Sequence, residues 1–265
     1  MRDNPVKRTL AAGGVSVGTA FFEFCTPGAP RLAAVAGAEF AFFDTEHTAW
    51  GNDVVRVLVG SALGAGLVPL VRPAGWAYHQ LAQPLDLGAM GLIVPMVESR
   101  TQAESVVRSA LYPPDGRRGA AFGIAHDDYR PGGVHEKMAT SNREVLLIAQ
   151  IETAAGLEQV DEIASVPGLD VLWVGQFDLT ASLGIPAQFD HPSYLAALDR
   201  VADACWRHGK ASGFMVTSGA EAEDVLARGY TCLAYHGDLW LYQQALQAGI
   251  STVREAAERV GTAGR

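Results

Sequence analysis

Residues 145–178 read VLLIAQIETAAGLEQVDEIASVPGLDVLWVGQFD. The stretch opens on an apolar run, Val145–Glu152, that closes in Gln150 and Glu152. A helical pattern, AAGLEQVDEIASVPG, follows, and a second apolar run, Val171–Gly175, leads into Asp178. Strand, helix and strand in about thirty residues make a βαβ unit, whose parallel strands are buried on both faces and so read as continuous apolar runs.

The same alternation recurs along the chain. It predicts strands at Val15–Phe21, Glu39–Asp44, Leu67–Arg72, Gly91–Pro95, Val145–Glu152, Val171–Gly175, Ala211–Val216 and Thr231–His236, with helical patterns between them. Gly209 and Gly229 stand where a helix C′ residue belongs. Eight βα units in 265 residues predict an α/β fold, a (β/α)8 TIM barrel forming a single domain over residues 1–265. A doubly wound open sheet is the structural alternative, but no GxGxxG follows the first strand. The Pro- and Gly-punctuated segment 112–142 is too long for an idle connection and reads as a functional loop or a subunit contact.

Composition narrows the function. A net charge of −9 and a pI near 5.2 disfavour nucleic acid and anionic membranes as partners. Cys25, Cys205 and Cys232 are far apart and odd in number, so they suggest neither a disulfide framework nor zinc; a reducing cytoplasm fits. The N-terminal residues loosely resemble a signal peptide, but Gly13, Gly14, Ser16 and Gly18 break its apolar core.

Barrel enzymes carry their chemistry at the C-terminal ends of the strands. Here those ends supply Asp44, Glu46, His47, Arg72, Gln150, Glu152, Asp178, His236 and Asp238, and the N-terminal ends show no comparable set. Glu152 and Asp178 come from neighbouring strands, and paired carboxylates repel unless a proton or cation lies between them. Their oxygen donors favour Mg²⁺ or Mn²⁺ over Zn²⁺, with Co²⁺ also acceptable. Arg72 is as well suited to be a structural partner of Glu46 or Asp44 as to serve the chemistry, and a strand-end His47 beside acids suits a base. Lys7, Lys137 and Lys210 all fall away from the predicted mouth, so a Schiff base is disfavoured.

FFDTEHTAW (42–50), PLVRPAG, LDLGAMGLIVPMVES, YPPDGRRG, the 149–184 stretch and FDHP occur in an order and spacing that resemble the HpcH/HpaI aldolases, from about residue 18 to about residue 246. The resemblance implies a metal-dependent aldolase that cleaves or forms 4-hydroxy-2-oxo acids from a pyruvate or hydroxypyruvate enolate and an aldehyde. By position, Glu152 and Asp178 resemble the metal ligands, His47 the catalytic base and Asp86 its acidic partner, which can come from another subunit. Arg72 resembles the residue holding the carbonyl and enolate, Gln150 a polar neighbour of substrate, and the Phe177 and Asp178 N–H groups a cradle for its carboxylate. It further implies a homo-hexamer, a trimer of dimers, with an exchanged C-terminal helix and residues 247–265 as the oligomerisation segment. GQFDLT departs from the common Gly-Pro form, which bears on donor and aldehyde preference. Lysis of a malyl- or citramalyl-CoA thioester is an alternative lacking a basic cluster for CoA phosphates; a non-catalytic acid-binding barrel would have no use for a base.

Overall fold

Eight parallel strands close into a barrel in sequential order. They are β1 (Ser16–Phe21), β2 (Phe40–Asp44), β3 (Val68–Arg72), β4 (Gly91–Val94), β5 (Leu146–Ile151), β6 (Val171–Val174), β7 (Ala211–Val216) and β8 (Cys232–Gly237). Every expected strand is present with each end placed within one residue, and the open sheet is ruled out by the pairing of β1 with β8. The structure, a computed structural model, describes residues 1–263; the last two residues of the expected 247–265 segment lie outside the described residues.

Side-chain alternation along the strands divides the core in two. Phe40, Phe42, Val68, Leu70, Leu146, Ile148, Val171 and Trp173 belong to one cluster inside the barrel. Ala41, Phe43, Val71, Leu147, Ala149 and Leu172 belong to a second cluster with the surrounding helices. Thr153 caps the helix after β5, its hydroxyl accepting from Gly156 N–H at 3.0 Å. Gly209 and Gly229 take φ values of 63° and 95° after their helices, the conformation a C′ residue needs.

An unanticipated helix, Pro5–Ala11, closes the N-terminal end of the barrel. Asn4 caps it, accepting from Lys7 N–H at 3.1 Å, while Val6 and Leu10 join the inner core. This end carries ionisable groups of its own, and they serve the fold. Glu39, Glu144, Asp170 and Lys210 all stand just before strands, and each has a partner there.

The 112–142 segment is partly ordered by a turn at Ala125–Asp127 and the helix Val134–Glu144, tied by a buried Lys137–Asp127 ion pair at 2.5 Å. The last helix, Asp238–Ala263, spans 26 residues and is mostly exposed. No helix among the described residues is long and apolar enough to cross a membrane.

Candidate active site

The β2–β3 register places Asp44 opposite Arg72, which explains why an apolar strand ends in charge. Asp44 is fully buried. Its carboxylate accepts from the backbone N–H groups of Glu46 at 3.2 Å and His47 at 3.0 Å, and from Arg72 Nε at 2.6 Å. Asp44 thus fixes both the loop that carries His47 and the guanidinium beside it. Sequence reasoning named Asp44 at the strand end but missed this anchoring role.

Arg72 is held from three directions. Its guanidinium lies 5.6 Å from the Phe22 ring centroid and 5.7 Å from that of Phe42, and Nε is 3.3 Å from Glu46 Oε2. Burial lowers its pKa, but the hydrogen bond it donates to Asp44 and the charges of Asp44, Glu46 and Glu152 raise it overall. The cation is permanent.

Glu152 follows β5 and is buried. Its Oε1 accepts from Met96 N–H at 2.6 Å, and Oε2 accepts from the Gln150 amide. Met96 adopts φ 55°, a strained value for a non-glycine residue, where its N–H meets Glu152. Gly175 completes the fit, since a Cβ there would lie 2.5 Å from Glu152 Oε2. Neither Met96 nor Gly175 was legible as a site residue, because each acts through backbone geometry.

Burial pushes the Glu152 carboxyl up; the Gln150 and Met96 hydrogen bonds oppose that shift, the Asp178 charge reinforces it, and Arg72 opposes it. Burial also raises Glu46, with Arg72 and His47 opposing and Glu152 and Asp44 reinforcing. Glu46 Oε2 is buried and accepts no hydrogen bond, despite its ion-pair distance from Arg72. Asp44, Glu46 and Glu152 therefore share one arginine, and Asp178 adds its charge to that of Glu152.

This surplus of carboxylate oxygen fits a hard divalent cation. No group of three or more His, Cys, Asp or Glu set to hold a metal occurs among the described residues. A site built on Glu152 and Asp178 supplies two protein ligands and leaves the rest of the coordination to water and substrate, as hard cations allow.

His47, Arg72, Gln150, Phe177 and Asp178 line one cavity of about 220 Å³ at the mouth, together with Phe22, Phe42, Trp173, Met215 and Trp240. Glu152 lies directly behind Gln150. His47 is exposed, and its Nε2 stands 3.6 Å from Glu46 Oε2. Among the described residues, no lysine borders the cavity.

Three strand-end or helix-end acids and bases lie elsewhere. Asp238 accepts from the N–H groups of Phe22, Glu23 and Phe24, anchoring the loop after β1. His236 is buried, with Nε2 3.1 Å from the Gln244 amide nitrogen. Asp86 ends the helix Tyr78–Asp86 and pairs at 2.6 Å with the buried Arg118 of the same chain, not with His47.

The HpcH/HpaI aldolase/citrate lyase family pattern matches residues 26–245. The chain belongs to this family. It is 36% identical over 244 residues to a 2-keto-3-deoxy-L-rhamnonate aldolase of Klebsiella pneumoniae, covering 92% of this chain and 90% of the relative. Identity to the Salmonella typhimurium 2-keto-3-deoxy-L-rhamnonate aldolase is 33%, covering 99% and 97%. The crystal structure of an HpcH/HpaI aldolase from Desulfitobacterium hafniense superposes with a TM-score of 0.90 at 33% identity, covering 94% of this chain and 96% of that one. The motif-based family assignment is thus borne out, and the HpcH/HpaI barrel supplies the frame for the chemistry proposed next.

Proposed function

We propose that this chain is a cytoplasmic, divalent-metal-dependent aldolase, a carbon–carbon lyase acting on 4-hydroxy-2-oxo acids. The observation that carries the reading is the pairing of Glu152 with Asp178 beside Arg72, at a mouth with no lysine on its wall. A Schiff base has no nucleophile there, whereas an enolate route has both its cation site and its arginine.

Glu152 and Asp178 would hold Mg²⁺ or Mn²⁺, which when bound would stabilise the charge that develops on a 2-oxo acid as its C3 proton leaves. Arg72, fixed by Asp44, presents a permanent positive charge to the carbonyl oxygen as it becomes an enolate. Gln150 orients Glu152 and borders the donor. The backbone N–H groups of Phe177 and Asp178 receive the donor carboxylate. His47, which is exposed, relays the proton to and from the C4 hydroxyl in cleavage. Pyruvate and hydroxypyruvate both fit this scheme as donor.

The assembly proposed is a homo-hexamer, a trimer of dimers. The C-terminal helix leaves Leu246, Ile250, Val253 and Val260 exposed, and a groove of about 630 Å³ beside β1 exposes Leu32. Exchange of that helix between subunits buries both surfaces. In this assembly Asp86, held by Arg118, meets His47 of a neighbour.

A retro-aldol and aldol screen with varied donors and aldehydes, before and after EDTA, tests the function. Turnover that disappears with EDTA and returns with Mg²⁺ or Mn²⁺ is expected. Full turnover by the stripped enzyme contradicts the proposal.

A further inference from the structure

The cavity's polar side chains are largely committed. Arg72 Nε is bonded to Asp44, and the Gln150 amide to Glu152. Gln176 Nε2 donates to the Met215 carbonyl at 3.1 Å. Asp178 belongs to the cation site proposed above, and His47 to proton transfer. What remains to meet the substituent of an incoming aldehyde is mostly apolar surface, Phe22, Phe177, Met215 and the ring of Trp240, with the Trp240 indole N–H and Gln176 Oε1 as the polar exceptions.

That wall is built rather than incidental. Phe177 is 61% exposed, yet its ring is set edge-to-face on Phe189 at 5.1 Å, and Phe189 is set in turn on buried Tyr194 at 5.7 Å. Phe22 and Trp240 form a second edge-to-face pair at 5.1 Å. Two aromatic pairs therefore stiffen the rim around the carboxylates. A hydroxyl carried against the Phe22, Phe177 and Met215 surface loses water without gaining a partner from those side chains, while each methylene gains by leaving water.

We propose that the acceptor subsite selects aldehydes bearing an apolar substituent, linear aliphatic or aromatic, over polyhydroxylated ones. This rests on the aldolase reading and specifies its substrate class. In the reaction, the donor C3–H bond breaks and C3 bonds to the aldehyde carbon. The C=O π pair becomes an alkoxide that takes up one proton, so the product is a 4-hydroxy-2-oxo acid whose substituent beyond C4 is apolar. Reversal breaks the C3–C4 bond and returns the same aldehyde.

The test uses the Mg²⁺-loaded enzyme with pyruvate and a series of acceptors: propanal, butanal, pentanal, benzaldehyde, lactaldehyde and glyceraldehyde. Pyruvate C3 hydrogen–deuterium exchange, without any aldehyde, is followed in parallel. The expected kcat/KM rises roughly fourfold per methylene from propanal to pentanal. Glyceraldehyde is expected about tenfold or more below butanal. Phe177→Ala and, independently, Met215→Gln should each lower the pentanal-to-glyceraldehyde ratio, a readout that normalises any change in absolute rate. A flat series, a preference for glyceraldehyde, or an unchanged ratio in both variants overturns the inference. If exchange proceeds normally while hydroxylated acceptors win, the aldolase reading stands and only this inference fails; absence of exchange removes both.

Discussion

The two ends of the barrel contain similar residues in opposite states. At the N-terminal end, Glu144 accepts from Asn4 N–H at 2.8 Å and from Arg8 at 3.1 Å. Lys7 pairs with Asp170 at 3.0 Å, and Lys210 donates to the Leu169 carbonyl at 2.8 Å. Charge there is balanced and used to seal a plug. At the mouth, Asp44, Glu46 and Glu152 surround Arg72, the Asp178 charge bears on Glu152, and Glu46 Oε2 accepts no hydrogen bond.

Two buried glutamates, Glu144 and Glu152, report the difference directly. Burial raises both carboxyls, but the Asn4 N–H, Arg8 and Arg143 overcome it at Glu144, whose pKa falls. At Glu152, burial with the Asp178 charge overcomes Gln150, Met96 and Arg72, and the pKa rises. Burial alone therefore does not set the direction in which a buried acid shifts. The balance of partners does.

The largest effect should come from removing the mouth's surplus charge. Glu152→Ala or Asp178→Ala is expected to lower kcat on the order of a thousandfold and to abolish metal binding in the same preparation. Loss of turnover with metal affinity intact breaks the assignment. Arg72→Ala should slow pyruvate C3 exchange by about a hundredfold or more, because the enolate loses its charge-assisted partner. His47→Ala should slow proton transfer while leaving donor KM nearly unchanged, so a KM-dominated defect reassigns His47 to binding.

Asp86→Ala should have a smaller effect, about tenfold to a hundredfold on kcat, since in the proposed assembly it would act only through His47 of a neighbour. Activity and sedimentation on one dilution series extend that test. A fully active monomer shows that the His47–Asp86 pairing is unnecessary.

The smallest effects should appear at the floor and in stability only. A depressed folded-state pKa means that Glu144 contributes stability above the ordinary glutamate range, and that this contribution is lost as pH falls through its folded value. Glu144→Gln should therefore cost about 1–3 kcal/mol at pH 7 and less in acid, with kcat unchanged. Metal-free Glu152→Gln should keep or gain Tm, because an unfavourable buried charge is gone. Equal destabilisation by the two substitutions, followed by chemical denaturation from pH 4 to 8, erases the contrast between the ends.

Much of this was legible in the chain. Period and punctuation gave the strands, because buried parallel strands leave continuous apolar runs and helices end at residues such as Gly209 and Gly229. His47, Arg72, Gln150, Glu152, Phe177 and Asp178 stood out as ionisable or atypical residues at strand ends, and the fold gathers them at one mouth. The plug helix was missed because its short amphipathic run looks like a leader. Met96 was missed because its contribution is an N–H aimed by a positive φ, which no side chain announces. His236 and Asp238 were misplaced because His236, at φ 55°, is buried against Gln244, and Asp238, first residue of the last helix, is taken up by the loop after β1. Asp86 is bonded within its own chain to Arg118, a contact between distant segments that no local pattern encodes.

The central claim is that the unbalanced carboxylates at the mouth hold the cation on which enolisation depends. Mn²⁺ binding by calorimetry, measured beside pyruvate C3 deuterium exchange, tests it most directly in wild type, Glu152→Gln and Glu144→Gln. One Mn²⁺ per chain and metal-dependent exchange are expected in wild type and Glu144→Gln, with both lost in Glu152→Gln. Undiminished exchange by metal-stripped wild type, or full Mn²⁺ affinity in Glu152→Gln, contradicts the account.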